Sequence, residues 1–395
     1  MISRDRKRAV ARRAIALIDI YKWPGLSFDG AGSLGTGQAF IGSTDASGRP
    51  LKCSDLIFTD SSSDSSYCEC FTLSPDGMLL AASFNTNTIL VWRLSDGLIV
   101  QRLHDQDHTG LIRSVAFSPD TRHLVSGSTD RTAIVWNIGS GRVLLRLEGH
   151  RNRVCAVTYS PDGSRIASGS DDRSVKIWDV SRGECLHSLD LGKEVAKVIF
   201  SPDGVRLTVK LKNTGAICDV HTGTRIATLR YEGGANMLLS VSHQGDRVIT
   251  GTNNGKVRIW SAVTGEKLLE LNEHERAISS VAISPDGSEV AIASRDHTVM
   301  TCDSWTGQRH RVYQMPTLVQ CVAYSPKGDY IAMSDDGGCV RVCDARSGMS
   351  LVEFEGHTAP VAGLQFLPDG HSLLSSSYLD KTVRLWSIWD AMRLH

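Results

Sequence analysis

Residues Gly149–Asp179 read GHRNRVCAVTYSPDGSRIASGSDDRSVKIWD, and the pattern inside this stretch decides the fold. Arg153–Tyr159 alternates polar and apolar residues, as a half-buried strand does, and Ser160-Pro161-Asp162-Gly163 is a turn. Arg165–Ser170 follows as a second strand, and Asp171-Asp172-Arg173 turns the chain into a third, Ser174–Val180. Ser181-Arg182-Gly183 then turns it into a fourth, Cys185–Leu189. The unit is a four-stranded antiparallel meander.

The turn phrase, or a degraded copy, recurs at Ser74, Ser118, Ser160, Ser201, Ser242, Ser284, Ser325 and Leu367, in steps of 44, 42, 41, 41, 42, 41 and 42 residues. One meander has two faces to bury and cannot stand alone, so the units stack face to face around an axis. The expected fold is all-β: a closed propeller of eight blades, each of four antiparallel strands. A seven-bladed ring is the alternative, because TVKLKNTG (Thr208–Gly215) in the fourth copy replaces the usual hairpin. The last copy ends after its third strand, at Trp386–Trp389, while Leu51–Thr59 (LKCSDLIFT) is a strand with no blade of its own. It is expected to complete the eighth blade and latch the ring. Residues 1–48 are expected as a basic leader and Gly/Ser-rich linker, and residues 49–395 as the propeller.

GHRNRVCAVTYSPDGSRIASGSDDRSVKIWD and GHTAPVAGLQFLPDGHSLLSSSYLDKTVRLWS (Gly356–Ser387) resemble the WD40 (WD-repeat) family. The stretch that opens the repeats resembles the WD-repeat regions of fungal sensor proteins of the NACHT type. The resemblance implies a non-catalytic scaffold or adaptor that binds peptides or proteins; a second option is the ligand-sensing domain of a signalling NTPase-type protein. No Walker-type Gly-x-x-x-x-Gly-Lys-Ser/Thr occurs.

From the turn serine to the third-strand tryptophan position is 18 residues in six copies, 17 in the fourth and 19 in the eighth. Those positions read Trp92, Trp136, Trp178, Cys218, Trp260, Cys302, Cys343 and Trp386. In the WD-repeat family a buried Trp, Ser or Thr, His and Asp form a hydrogen-bonded chain within a blade. The resemblance implies such sets at His108, Ser126, Asp130 and Trp136; at His150, Ser168, Asp172 and Trp178; and at His357, Ser376, Asp380 and Trp386. In blade six, Ile292 and Cys302 replace two members. A Ser-His-Asp set also invites a hydrolase reading. Three copies inside strands, with no Gly-x-Ser-x-Gly elbow, argue for a structural role, so no catalytic residue is assigned.

Other motifs fail on context. GAGSLG (Gly30–Gly35) fits a dinucleotide fingerprint, but residues 36–48 carry no helical periodicity, so a linker is expected and no cofactor. Cys68-x-Cys70 and Cys339-x-x-x-Cys343 have no nearby histidine or third cysteine to complete a zinc site, so no metal is expected. Cys218, Cys302 and Cys343 stand in for tryptophan as small buried residues.

Lys plus Arg equals Asp plus Glu at 43 each, so no overall field attracts nucleic acid or an anionic membrane. Ten single cysteines and no Asn-x-Ser/Thr sequon fit a reducing compartment, and the cytoplasm is expected, with the nucleus as an option. No apolar run approaches the ~18 residues that span a bilayer. The first 22 residues hold seven Lys/Arg against Asp5 and Asp19, a charge pattern of a solvated leader, with an organelle or nuclear address as alternatives. A monomeric propeller is expected.

In a meander the start of the first strand lies beside the end of the second, so the loops between blades and the second hairpins share one face, which rims the central channel. The resemblance implies docking there, through Tyr67, Glu69, Asn85, Leu111, Arg113, Thr129, Arg153, Asp171, Glu194, Asn253, Arg295, Leu318, Gln320 and Leu379. Arg113, Arg153 and Arg295 suit an acidic or phosphorylated peptide, while Lys210 and Lys212 are expected to protect a weakened edge.

Overall fold

The computed structural model describes residues 39–41, 56–59, 68–84, 87–103, 107–230 and 238–393. They form eight antiparallel sheets arranged as blades in a ring, which settles the blade number in favour of eight. Blades one to seven span Cys68–Leu103, Ile112–Leu147, Val154–Asp190, Val195–Leu229, Leu238–Leu271, Ile278–Gln314 and Val319–Phe354. The fourth, doubtful in sequence, is a complete blade of strands Val195–Phe200, Arg206–Leu211, Thr214–Asp219 and Thr224–Leu229.

The turn phrase works through its own side chains. Ser160 Oγ donates to Asp162 at 2.5 Å and accepts the Arg165 amide at 2.9 Å, while the Gly163 amide reaches the Ser160 carbonyl at 2.9 Å. Gly163 has φ +72°, a conformation open to glycine at little cost. In the degraded fifth copy, which reads SHQGD, Asp246 supplies the carboxylate to Ser242 instead, at 2.6 Å.

Between each pair of neighbouring blades lies one apolar core, and eight such cores run around the ring. The one that closes the circle joins Cys68, Leu73, Leu80 and Trp92 of blade one to Leu374 and Val383 of blade eight. Phe58, fully buried, fills the same core.

Blade eight is built from both ends of the repeat region. Strands Gly363–Phe366, Ser372–Ser377 and Thr382–Ser387 are joined by Leu56–Phe58, with Leu56 opposite Leu385 and Phe58 opposite Val383. The expected latch is thus in place over its described residues. Ala39–Ile41 adds a fifth strand on the outer edge, pairing Ala39 with Phe58. This corrects the linker expectation for that triplet: three residues are too few for alternation to register, and the free edge of the latch supplies the partner. A short helix, α1 (Ile388–Arg393), follows the third strand and buries Ile388 and Ala391 against blades seven and eight. Among the described residues no helix is long and apolar enough to cross a membrane.

Candidate functional site

The hydrogen-bonded sets lie within blades two, three and eight. His108 Nδ1 meets Asp130 at 2.7 Å, its Nε2 meets Ser126 Oγ at 2.8 Å, and Trp136 Nε1 donates to the same oxygen at 2.7 Å. In blade three the corresponding distances are 2.9, 2.8 and 2.8 Å for His150–Asp172, His150–Ser168 and Trp178–Ser168. One direction satisfies every group: Nδ1–H to carboxylate, serine O–H to Nε2, indole N–H to serine oxygen. The carboxylate also takes the amide after the histidine, Thr109 at 3.1 Å and Arg151 at 2.8 Å, so each set ties the inter-blade loop to the second hairpin.

In blade eight the serine is Ser375, not Ser376. His357 Nε2 and Trp386 Nε1 both reach Ser375 Oγ at 2.6 Å, and His357 Nδ1 meets Asp380 at 2.5 Å. The extra residue of this copy sits in the hairpin around Tyr378–Asp380, so counting back from the aspartate lands one residue late, whereas the turn at Leu367 keeps the count of blade three. Ser375 lies opposite Arg384, as Ser168 lies opposite Lys176.

Burial tends to raise the pKa of Asp130 and Asp172, yet hydrogen bonds outweigh it, from His108 and Thr132 in one and from Ser174, the Arg151 amide and His150 in the other. Both carboxyls are held well below the ordinary range. Burial lowers His150 and His357 despite their carboxylate partners. The serine hydroxyls are fully buried and already engaged by indole and imidazole, so this geometry pins loops rather than presenting a nucleophile. Other blades keep fragments: Trp260 Nε1 donates to Thr250 at 2.9 Å, and His274 meets Asp296 at 2.7 Å. Among the described residues, His274 Nε2 and Trp92 Nε1 are buried without a partner.

The docking candidates are brought together where each inter-blade loop meets the second hairpin of its own blade. Backbone bonds make these joints: Thr129 amide to Leu111 carbonyl at 2.9 Å, Asp171 to Arg153 at 3.1 Å, Lys212 to Glu194 at 3.1 Å, Arg295 to Ala277 at 2.9 Å and Asp336 to Leu318 at 2.9 Å. Tyr67 and Asn85 lie outside the described residues, as does the Gly30–Gly35 run.

Side chains alter the charge picture drawn from sequence. Arg113 pairs with Glu69 at 2.7 Å, Arg153 pairs with Asp171, and Gln320 donates to Asp336. Glu194 pairs with Lys212 at 3.2 Å. Two of the three arginines therefore have carboxylates already, because the neighbours lie on adjacent blades or hairpins. Arg295 is exposed and its guanidinium makes no bond among the described residues; Asn253 is exposed too. Leu379 is 65% exposed and Tyr378, which the sequence did not single out, 47%. An aromatic next to a leucine in the longest second hairpin was the available signal.

Lys210 is not at an edge: its strand is hydrogen-bonded on both sides. Among the described residues no cluster of three His, Cys, Asp or Glu side chains could hold a metal. Burial pushes the Cys70, Cys339 and Cys343 thiols up to about 11, disfavouring the thiolate a metal needs.

A family model described as "WD domain, G-beta repeat" matches residues 100–137, 141–179, 265–303, 308–344 and 348–387. The chain is 27% identical over 211 residues to "Periodic tryptophan protein 2" of Arabidopsis thaliana, covering 52% of this chain and 23% of that protein. It is 25% identical over 233 residues to "Autophagy-related protein 16" of the same plant, covering 59% and 35%. With the human "WD repeat and SOCS box-containing protein 1" it shares 42% identity over 55 residues, 14% of this chain and 13% of the other. The matched part thus spans about a quarter to a third of the first two relatives' lengths. Among solved structures, the computationally designed Ika8 protein superposes with a TM-score of 0.70 at 25% identity, covering 82% of this chain and 98% of that one.

Proposed function

Because the chain belongs to the WD40-repeat proteins, we propose that it works as a non-catalytic platform whose partners, peptides or proteins, dock on the channel face. One observation carries the reading: on that face the second hairpin of blade eight presents Leu379, 65% exposed, beside Tyr378. Exposed aromatic and aliphatic side chains on a rigid loop are the kind of anchor that partners bury, and stacked blades hold such loops still. The free guanidinium of Arg295 makes an acidic or phosphorylated segment the favoured partner chemistry. The paired Arg113 and Arg153 contribute less, since a partner would first have to displace Glu69 or Asp171.

The platform acts as a monomer in the cytoplasm, and residues 1–48, apart from the Ala39–Ile41 strand, serve as leader and linker. Affinity purification with mass spectrometry on the wild type beside Leu379→Glu/Arg295→Glu tests the docking face. Met78→Glu, exposed in the first turn of blade one, is the control. Partners lost by the double variant alone support the face; partners kept by it move the site to the outer edges or the opposite side.

A further inference from the structure

Lys197 and Lys210 stand directly opposite one another on the first and second strands of blade four. Side chains of such a cross-strand pair share one face of the sheet. At the Lys210 position the other blades carry glycine, alanine or serine, and the structure shows why. A Cβ on Gly127 would lie 2.8 Å from Val154 Cγ1, on Gly169 2.3 Å from Val195 Cγ1, and on Gly251 2.7 Å from Ile278 Cγ2. The position faces the first strand of the next blade, so Lys210 enters the seam between blades four and five. Lys197 lies at the channel end of that seam, where other blades have Cys70, Ser114, Ala156, Leu238, Ser280, Cys321 and Gly363, none of them charged.

Lys197 is exposed on the first strand of blade four, and its charge acts on the Cys321 thiol of blade seven, opposing the rise that burial imposes there. Among the described residues neither lysine makes an ion pair or hydrogen bond, whereas Lys212 nearby has Glu194 at 3.2 Å. Lys197 is exposed and Lys210 half-buried; burial, and then the Lys197 charge, hold the Lys210 ammonium below its ordinary value. Two ammoniums on directly opposite residues with no counter-charge repel each other, and an anion between them relieves that repulsion.

We propose that the channel end of the seam between blades four and five binds a phosphate group, held by Lys197 and Lys210. A phosphate monoester carries about −1.5 to −2 charge and three acceptor oxygens, which matches two ammonium donors better than one carboxylate does. The site does not depend on the docking face proposed above, because a small polyphosphate would fill it with no protein partner present.

Isothermal titration calorimetry of the full chain tests this, with sodium pyrophosphate as one probe and a phosphoserine peptide, beside its unphosphorylated form, as the other. Ionic strength is matched with sodium chloride. The wild type is expected to bind at least one probe saturably. Lys197→Met, Lys210→Met and Lys210→Ser each weaken it about tenfold, the ratio for loss of one charged hydrogen bond, while Lys212→Met leaves it unchanged. Lys210→Ser carries the residue other blades have and guards against a folding failure. Pyrophosphate binding assigns a small-molecule source, and binding of the phosphopeptide alone assigns a phosphorylated chain. No saturable binding of either probe, or equal binding by the wild type and the lysine variants, overturns the site.

Discussion

Phe58 meets Trp92 edge-on, ring centroids 5.5 Å apart and planes at 65°, although Phe58 belongs to the strand that completes blade eight and Trp92 to blade one. The latch therefore does two jobs at once. Its backbone supplies the missing ladder of blade eight, and its one fully buried side chain fills the core that joins the last blade to the first.

Phe58→Ala is expected to cost about 3–5 kcal/mol, the range for truncating a buried aromatic. Urea unfolding read by tryptophan fluorescence checks this. A loss under about 1 kcal/mol would mean the ring closes without the latch.

Ser375→Ala and Ser376→Ala separate the two registers of blade eight. Removing the Ser375 hydroxyl strands His357 Nε2 and Trp386 Nε1 in the core, costing about 1–3 kcal/mol, while Ser376→Ala stays within about 0.5 kcal/mol. Equal costs would contradict the observed register.

In blade one the indole Nε1 of Trp92 is buried without a partner among the described residues, and Ala82 stands where Ser126 and Ser168 accept the bond in blades two and three. Ala82→Ser is expected to raise stability by about 0.5–1.5 kcal/mol, seen as a higher urea midpoint at unchanged slope. A lower midpoint would show that the site has no room for the hydroxyl.

Acid lowers stability in two stages. His150 and His357 have folded pKa values below the unfolded value, so the unfolded chain takes up protons first, and stability falls as pH drops below about 6.5. Asp130 and Asp172 are depressed below about 3.9, so their contribution is full above that pH and is lost as pH falls through the folded values. Melting temperature against pH checks this. His150→Gln/His357→Gln flattens the upper stage, and a flat wild-type profile from pH 7 to 5 would contradict it.

What was legible in the sequence was local. The serine, aspartate and glycine of each first turn bond to one another within a few residues, so their spacing pointed to eight blades and to the strand order, while blade four, with its irregular hairpin, was settled by the structure. Ser375 was missed because the extra residue of its blade lies between the two landmarks used for counting. The ion pairs of Arg113 and Arg153 are not legible in the sequence, because Glu69 is 44 residues away on another blade and Asp171 lies across a hairpin. Lys210 was misread as an edge residue, since only the packed ring shows that its position points into the next blade. Ala39–Ile41 is too short for any periodic signal.

The claim that partners dock on the channel face is tested most directly by hydrogen–deuterium exchange of the full chain, alone and with a captured partner. The account predicts new protection confined to the inter-blade loops and second hairpins, around Leu111, Thr129, Asp171, Arg295 and Leu379. Protection confined instead to the first turns near Ser74, Ser160 and Ser284, or to the outermost strands, would contradict it.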